Sequence, residues 1–110
     1  MNYTIRYEEG GYAVLALNGD VDLSCSPAAR EQILACLDDG KHLLIEMSGV
    51  TYIDSSGVAS LVEGYQAAKK KALKFGLVGV STAVMNVMQL ARLDEVFPMY
   101  NSIAEGRTGG

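Results

Sequence analysis

The chain has 110 residues, enough for one hydrophobic core and too few for two. With 49% hydrophobic and 20% charged residues it reads as a globular protein, not a disordered one. A net charge of −4 argues against direct nucleic-acid binding, and no apolar run approaches the ~20 residues of a membrane-spanning helix, so membrane insertion is not expected.

The amino-terminal MNYTIRYEEGG has no signal-peptide core, so a cytoplasmic location is expected. Residues 3–7 (YTIRY) and 12–17 (YAVLAL) read as strands joined through a turn at Glu9-Gly10-Gly11. A polar stretch from Asn18 to Ser26 follows, and Ser26-Pro27 has the form of an N-cap with proline at the first helical position. Ala29, Ile33, Leu34 and Leu37 keep helical spacing until Asp38-Asp39-Gly40. HLLIEM, residues 42–47, is a third strand. Val58, Leu61, Val62, Tyr65 and Ala68 then lie on one face of a helix running to about Lys71. The lysines at its end, Lys69 to Lys71 with Lys74, suit the negative pole of a helix dipole and read as a solvated helix end.

LKFGLVGV, residues 73–80, predicts a fourth strand. Ser81 or Thr82 can cap a third helix with Val84, Val87, Met88 and Ala91 inward. Phe97–Tyr100 reads as a short last strand, and Asn101–Glu105 as the opening of a short helix. The order β-β-α-β-α-β-α-β predicts an α/β fold: a small mixed sheet of four to five strands flanked by helices, with right-handed parallel crossovers. One domain is expected over residues 1–105, with a flexible tail over 106–110. Functional residues of such sheets gather at the carboxyl ends of parallel strands, where this reading puts Asp54-Ser55-Ser56-Gly57 and the loop Gly19–Asp22.

Several chemistries fit that turn poorly. A nucleophile elbow needs glycine two residues before and two after its serine, and neither Ser55 nor Ser56 has both. The single histidine, His42, opens a strand at its opposite end. A phosphate loop would need more glycine and a following lysine. Asp20, Asp22, Ser24 and Glu31 mimic calcium-loop spacing, but Cys25 stands where glycine is required and Pro27 begins a helix inside the would-be cage. Cys25 and Cys36 lack metal-ligand or CxxC spacing and are expected as free thiols. No catalytic residue, metal ligand or cofactor is therefore assigned. The plainest reading of Asp54-Ser55 is a helix N-cap. Gly57 inside the first turn costs about 1 kcal/mol relative to Ala, which implies a neighbour that tolerates no side chain, such as another backbone.

GDVDLSCSPAAREQIL, LLIEMSGVTYIDSSGVASLVEGYQ and STAVMNVMQLARLDEVF together resemble the STAS domain family, most closely its bacterial anti-sigma factor antagonists. The resemblance spans essentially the whole chain, and Asp-Ser-Ser-Gly is its most specific part. Val58-Ala59 replaces the Leu-Gly of many relatives, and the final helix is short for the family. The resemblance implies a non-enzymatic regulator working by partner switching. Its unphosphorylated form would bind an anti-sigma factor that is also a serine kinase, phosphorylation would release it, and a metal-dependent serine phosphatase would reset it. It implies Ser55 as phosphoacceptor, Asp22 as a nearby acidic position, Asp54 and Ser56 as flanking residues, and Gly57 as room for a partner backbone. The alternative it leaves is a standalone structural subunit of a membrane lipid-transport or stress-signalling complex, with Ser55 merely a cap.

Overall fold

The computed structural model describes residues 1–109. Five strands and four helices alternate as β1 (Asn2–Glu8), β2 (Tyr12–Val21), α1 (Ser26–Asp38), β3 (His42–Ile53), α2 (Ser55–Lys70), β4 (Phe75–Val78), α3 (Thr82–Leu90), β5 (Met99–Tyr100) and α4 (Ile103–Gly109). The strands lie side by side in chain order, with β1 antiparallel to β2 and every later pair parallel. Right-handed crossovers that advance one strand at a time put their helices on the same face. The packing agrees. Leu15, Leu43, Ile45 and Leu77 point into one core with Ile33 of α1, Leu61 of α2 and Met88 of α3. Tyr12, Val14, Leu44 and Val78 point the other way and meet Tyr100 and Ile103 at the start of α4.

Two strands outrun their sequence signal. β2 continues past Leu17 to Val21, and β3 past Met47 to Ile53. Their register shifts twice, with Ala16 opposite Glu46 but Asn18 opposite Gly49, and Gly19 opposite Val50 but Asp20 opposite Tyr52. Each shift inserts one extra β3 residue, and such bulges break the alternation by which a strand is read. A Cβ on Gly49 would sit 1.9 Å from Asn18 Oδ1, so a larger residue there would make the exposed Asn18 side chain rotate away. Gly19 to Val21 is accordingly strand, and the loop begins at Asp22.

Other boundaries move for identifiable reasons. Cys25, not Ser26, is the α1 N-cap, so Pro27 stands second in the helix. β4 is confined to Phe75–Val78: Leu73 N–H still closes α2 on Ala68 C=O at 2.9 Å, and Gly79 turns the chain with φ 63°. Phe97 precedes β5 and is buried in an aromatic cluster with Tyr65 and Phe75. Ala91 is the exposed C-cap of α3 rather than part of its inner face. The segment 106–109, expected as a flexible tail, is helical in α4. Gly106 lies against Leu44 and Tyr100, and Tyr12 Oη donates to the Arg107 carbonyl at 3.3 Å. Gly110 lies outside the described residues.

α2 packs inward along a stripe of small residues that hydrophobic spacing does not reveal, against the ends of β2 and β3 at Gly57 and against α1 at Ser60 and Gly64. Gly57, Ser60 and Gly64 recur every three to four positions and are buried. A Cβ on Gly64 would lie 2.5 Å from Ile33 Cγ2. The buried Ser60 hydroxyl donates to the carbonyls of Ser56 (3.1 Å) and Ser26 (3.4 Å), which satisfies it inside the contact. This close approach brings the first turns of both helices together.

Candidate functional site

Both helices begin at the carboxyl ends of neighbouring parallel strands, the place where open α/β sheets carry their sites. Asp54 is the N-cap of α2, in extended conformation. Its Oδ1 accepts hydrogen bonds from Ser56 N–H (3.0 Å), Gly57 N–H (3.1 Å) and the Ser56 hydroxyl. Its Oδ2 accepts the Leu23 N–H at 3.1 Å, from the loop between β2 and α1. One carboxylate thus closes its own helix and fastens the neighbouring loop. The Ser56 hydroxyl, then the Gly57, Ser56 and Leu23 amides, hold its pKa below the ordinary aspartate value.

Asp22 organises only its own loop. Its Oδ1 accepts from Ser24 O–H (2.6 Å), Ser24 N–H (3.0 Å) and Cys25 S–H (3.3 Å). The hydroxyl of Ser24, then the thiol of Cys25, depress its pKa in turn. Asp20, on the strand before it, accepts from the Thr51 hydroxyl at 2.7 Å.

The two serines of the turn differ sharply. Ser56 is half-buried, and its hydroxyl is engaged by Asp54. Ser55 is the first residue of α2, is exposed, and its hydroxyl has no hydrogen-bond partner among the described residues. The cap of this helix is therefore Asp54 alone, and Ser55 contributes nothing to it. Sequence spacing did not separate the serines, but the geometry does.

At Gly57 the close backbone expected from a glycine in the first helical turn is present. Gly57 is buried, and a Cβ on it would lie 2.8 Å from the Val21 carbonyl oxygen and 2.6 Å from Ile53 Cγ1. The backbone that approaches it belongs to this chain, at the end of β2, not to a partner. Gly57 and Asp54 together hold the ends of β2 and β3 against the first turn of α2.

Ser55 stands at the lip of a shallow groove of about 410 Å³ whose apolar wall is Val58, Ala59, Val62 and Leu93. Sequence reading did not find Leu93 in this groove, nor Leu23, whose N–H is held by Asp54 in the adjoining loop. Leu23 is 73% exposed in a polar loop, and an apolar residue inside DVDLSCS was the available signal. At the groove's rim Glu63 pairs with Arg30 of α1. Two of the lysines at the far end of α2 are occupied locally: Lys69 lies over the Tyr65 ring at 5.0 Å, and Lys71 reaches Asp38 at 3.3 Å. Cys36 is buried and its thiol pKa is raised by desolvation, whereas Cys25 is half-exposed; both are free.

The fold and the turn define a small α/β domain, with three crossover helices on one face of a mixed sheet and an exposed serine at the mouth of one crossing. The STAS domain model matches residues 3–106, and the chain belongs to that family. The anti-sigma-F factor antagonist RsfB of Mycobacterium tuberculosis is 27% identical over 103 residues, 93% of this chain and 84% of that protein. The crystal structure of an anti-sigma factor antagonist from Mycobacterium paratuberculosis is similar with a TM-score of 0.87 and 27% identity, covering 98% of this chain and 92% of that one. The Bacillus cell fate determinant SpoIIAA in its phosphorylated form shares the fold with a TM-score of 0.73 at 19% identity, covering 96% of each chain. Among the described residues no helix is long and apolar enough to cross a membrane.

Proposed function

We propose that the chain is an anti-sigma factor antagonist that acts by phosphorylation-controlled partner switching at Ser55. The observation that carries this reading is the contrast within the turn: Ser56 is bound by Asp54, while Ser55 is exposed, unpartnered and fixed in place beside an apolar groove. The relatives' names supply the partner class, an anti-sigma factor. In this reading it docks over Ser55, Leu23 and the wall of Val58, Ala59, Val62 and Leu93. It is also the kinase that modifies Ser55, and a metal-dependent serine phosphatase restores the hydroxyl. The chain itself performs no chemistry and needs no cofactor.

The cap makes phosphorylation a surface event. A phosphate adds about −1.5 to −2 charges at neutral pH. A helix N-terminus normally favours an anion by ~0.3–1 kcal/mol through its free N–H groups. Here the Ser56 and Gly57 amides already donate to Asp54, and Val58 N–H to the Asp54 carbonyl at 3.0 Å. A phosphate on Ser55 therefore finds those donors taken and a carboxylate beside it. It stays outward and unneutralised, and the desolvation penalty falls on the interface.

The test is calorimetry against the cognate anti-sigma factor. Ser55→Ala should bind like the wild type and Ser55→Asp at least about tenfold more weakly, a difference of about 1.4 kcal/mol. Equal affinities for the two variants sink the charge switch. Intact mass and peptide mapping of protein from its native cells should show one phosphatase-sensitive phosphate, on Ser55 and not on Ser56.

A further inference from the structure

β1 is the edge of the sheet: Asn2–Glu8 pairs with β2 on one side and with no strand of the described residues on the other. Soluble proteins blunt such edges with proline, lysine, an inward charge or a bulge. NYTIRYE has neither proline nor lysine, and its register against β2 runs unbroken from Asn2 to Glu8. Tyr3, Ile5 and Tyr7 stand beside Leu17, Leu15 and Ala13, on the face that the three crossover helices cover. Ile5 is partly buried against that core, but Tyr3 remains 42% and Tyr7 62% exposed. On the opposite face Arg6 and Glu8 pair at 3.2 Å, so the strand itself carries no net charge; beside it the Lys41 ammonium lies 5.7 Å from the centre of the Tyr7 ring.

We propose that β1 is the seam of a homodimer in which two copies pair antiparallel about a two-fold axis at Ile5, joining their sheets. The strand is self-complementary in that register. Ile5 faces the partner's Ile5, and Tyr3 faces the partner's Tyr7, so the apolar stripe of each edge continues into the other. On the far face Thr4 meets the partner's Arg6, and Asn2 meets the partner's Glu8. No like charges stand directly opposite, and each arginine keeps its own glutamate. The contact is isologous, as a two-fold axis requires. This self-matching is what favours a second copy over a strand from another protein. One added strand pair is small beside a standard interface, so the dimer is weak and concentration-dependent. It uses none of the residues around Ser55.

Light scattering after size exclusion, from about 10 µM to about 1 mM, should carry the mean mass from 11.7 kDa toward twice that value. Tyr7→Lys should keep the wild-type melting temperature and move association to about tenfold higher concentration or beyond. Leu90→Lys, at the 87% exposed end of α3, should associate like the wild type. A mass that stays at 11.7 kDa throughout overturns the proposal, as does a dimer that survives Tyr7→Lys or is lost in Leu90→Lys.

Discussion

The crossing from β2 into α1 and the crossing from β3 into α2 lie side by side, each with an aspartate directly after its strand. Asp22 uses one oxygen, and every donor to it comes from Ser24 or Cys25. The helix that follows has no side-chain cap bond at Cys25. Asp54 uses both oxygens, one for the first turn of α2 and one for Leu23 across the gap. The second crossing is therefore the frame, and the first is positioned by it. The aspartate of Asp-Ser-Ser-Gly is a positioning residue: by engaging Ser56 it leaves Ser55 as the exposed, unpartnered hydroxyl of the turn.

The contrast breaks most completely at Gly57. Gly57→Ala places a methyl group 2.8 Å from the Val21 carbonyl and 2.6 Å from Ile53, both at strand ends rather than flexible tips. Chemical denaturation should show a loss of about 2 kcal/mol or more, despite the better helix propensity of alanine. A neutral or stabilising result would mean that the two crossings are not held together there. Asp54→Ala should come next, lowering the melting temperature by roughly 5 °C through loss of the cap. Its distinctive mark is remote in sequence: Leu23 amide exchange should accelerate while that of Ser24, held by Asp22, changes little. Unchanged Leu23 exchange would remove Asp54 as the link.

The sequence makes the fold legible through periodicity and leaves obscure what interrupts it. Leu43-Leu44-Ile45 and the face Val58, Leu61 and Ala68 announce their elements because each pattern runs unbroken. β2 loses its last four residues in the reading because Asn18, Gly19 and Asp20 read as a polar stretch, and β3 its last six because two bulges shift its alternation. The turn between β3 and α2 was legible as a strand-to-helix junction, and the penalty of a helical glycine announced a close backbone. That the backbone is Val21 could not be read, since the contact joins residues 36 apart in the chain. Nor could spacing choose between Ser55 and Ser56. The choice depends on which hydroxyl reaches Asp54, and both lie within two residues of it in sequence.

The mildest test separates the two aspartates by titration. Both carboxylates have folded-state pKa values below the ordinary 3.8. A depressed pKa contributes stability that is complete above the unfolded value and is lost as pH falls through the folded value. The acid arm of the stability curve, from about pH 5 downward, therefore contains a share from each. Asp22→Ala should cost roughly 1–2 °C at neutral pH, because only a surface loop loosens, and should leave most of the acid slope in place. Asp54→Asn preserves an acceptor for the α2 amides but abolishes the titration, and should flatten that slope more than Asp22→Ala does. The reverse order would show that the first crossing, not the second, carries the charge-dependent part of the site.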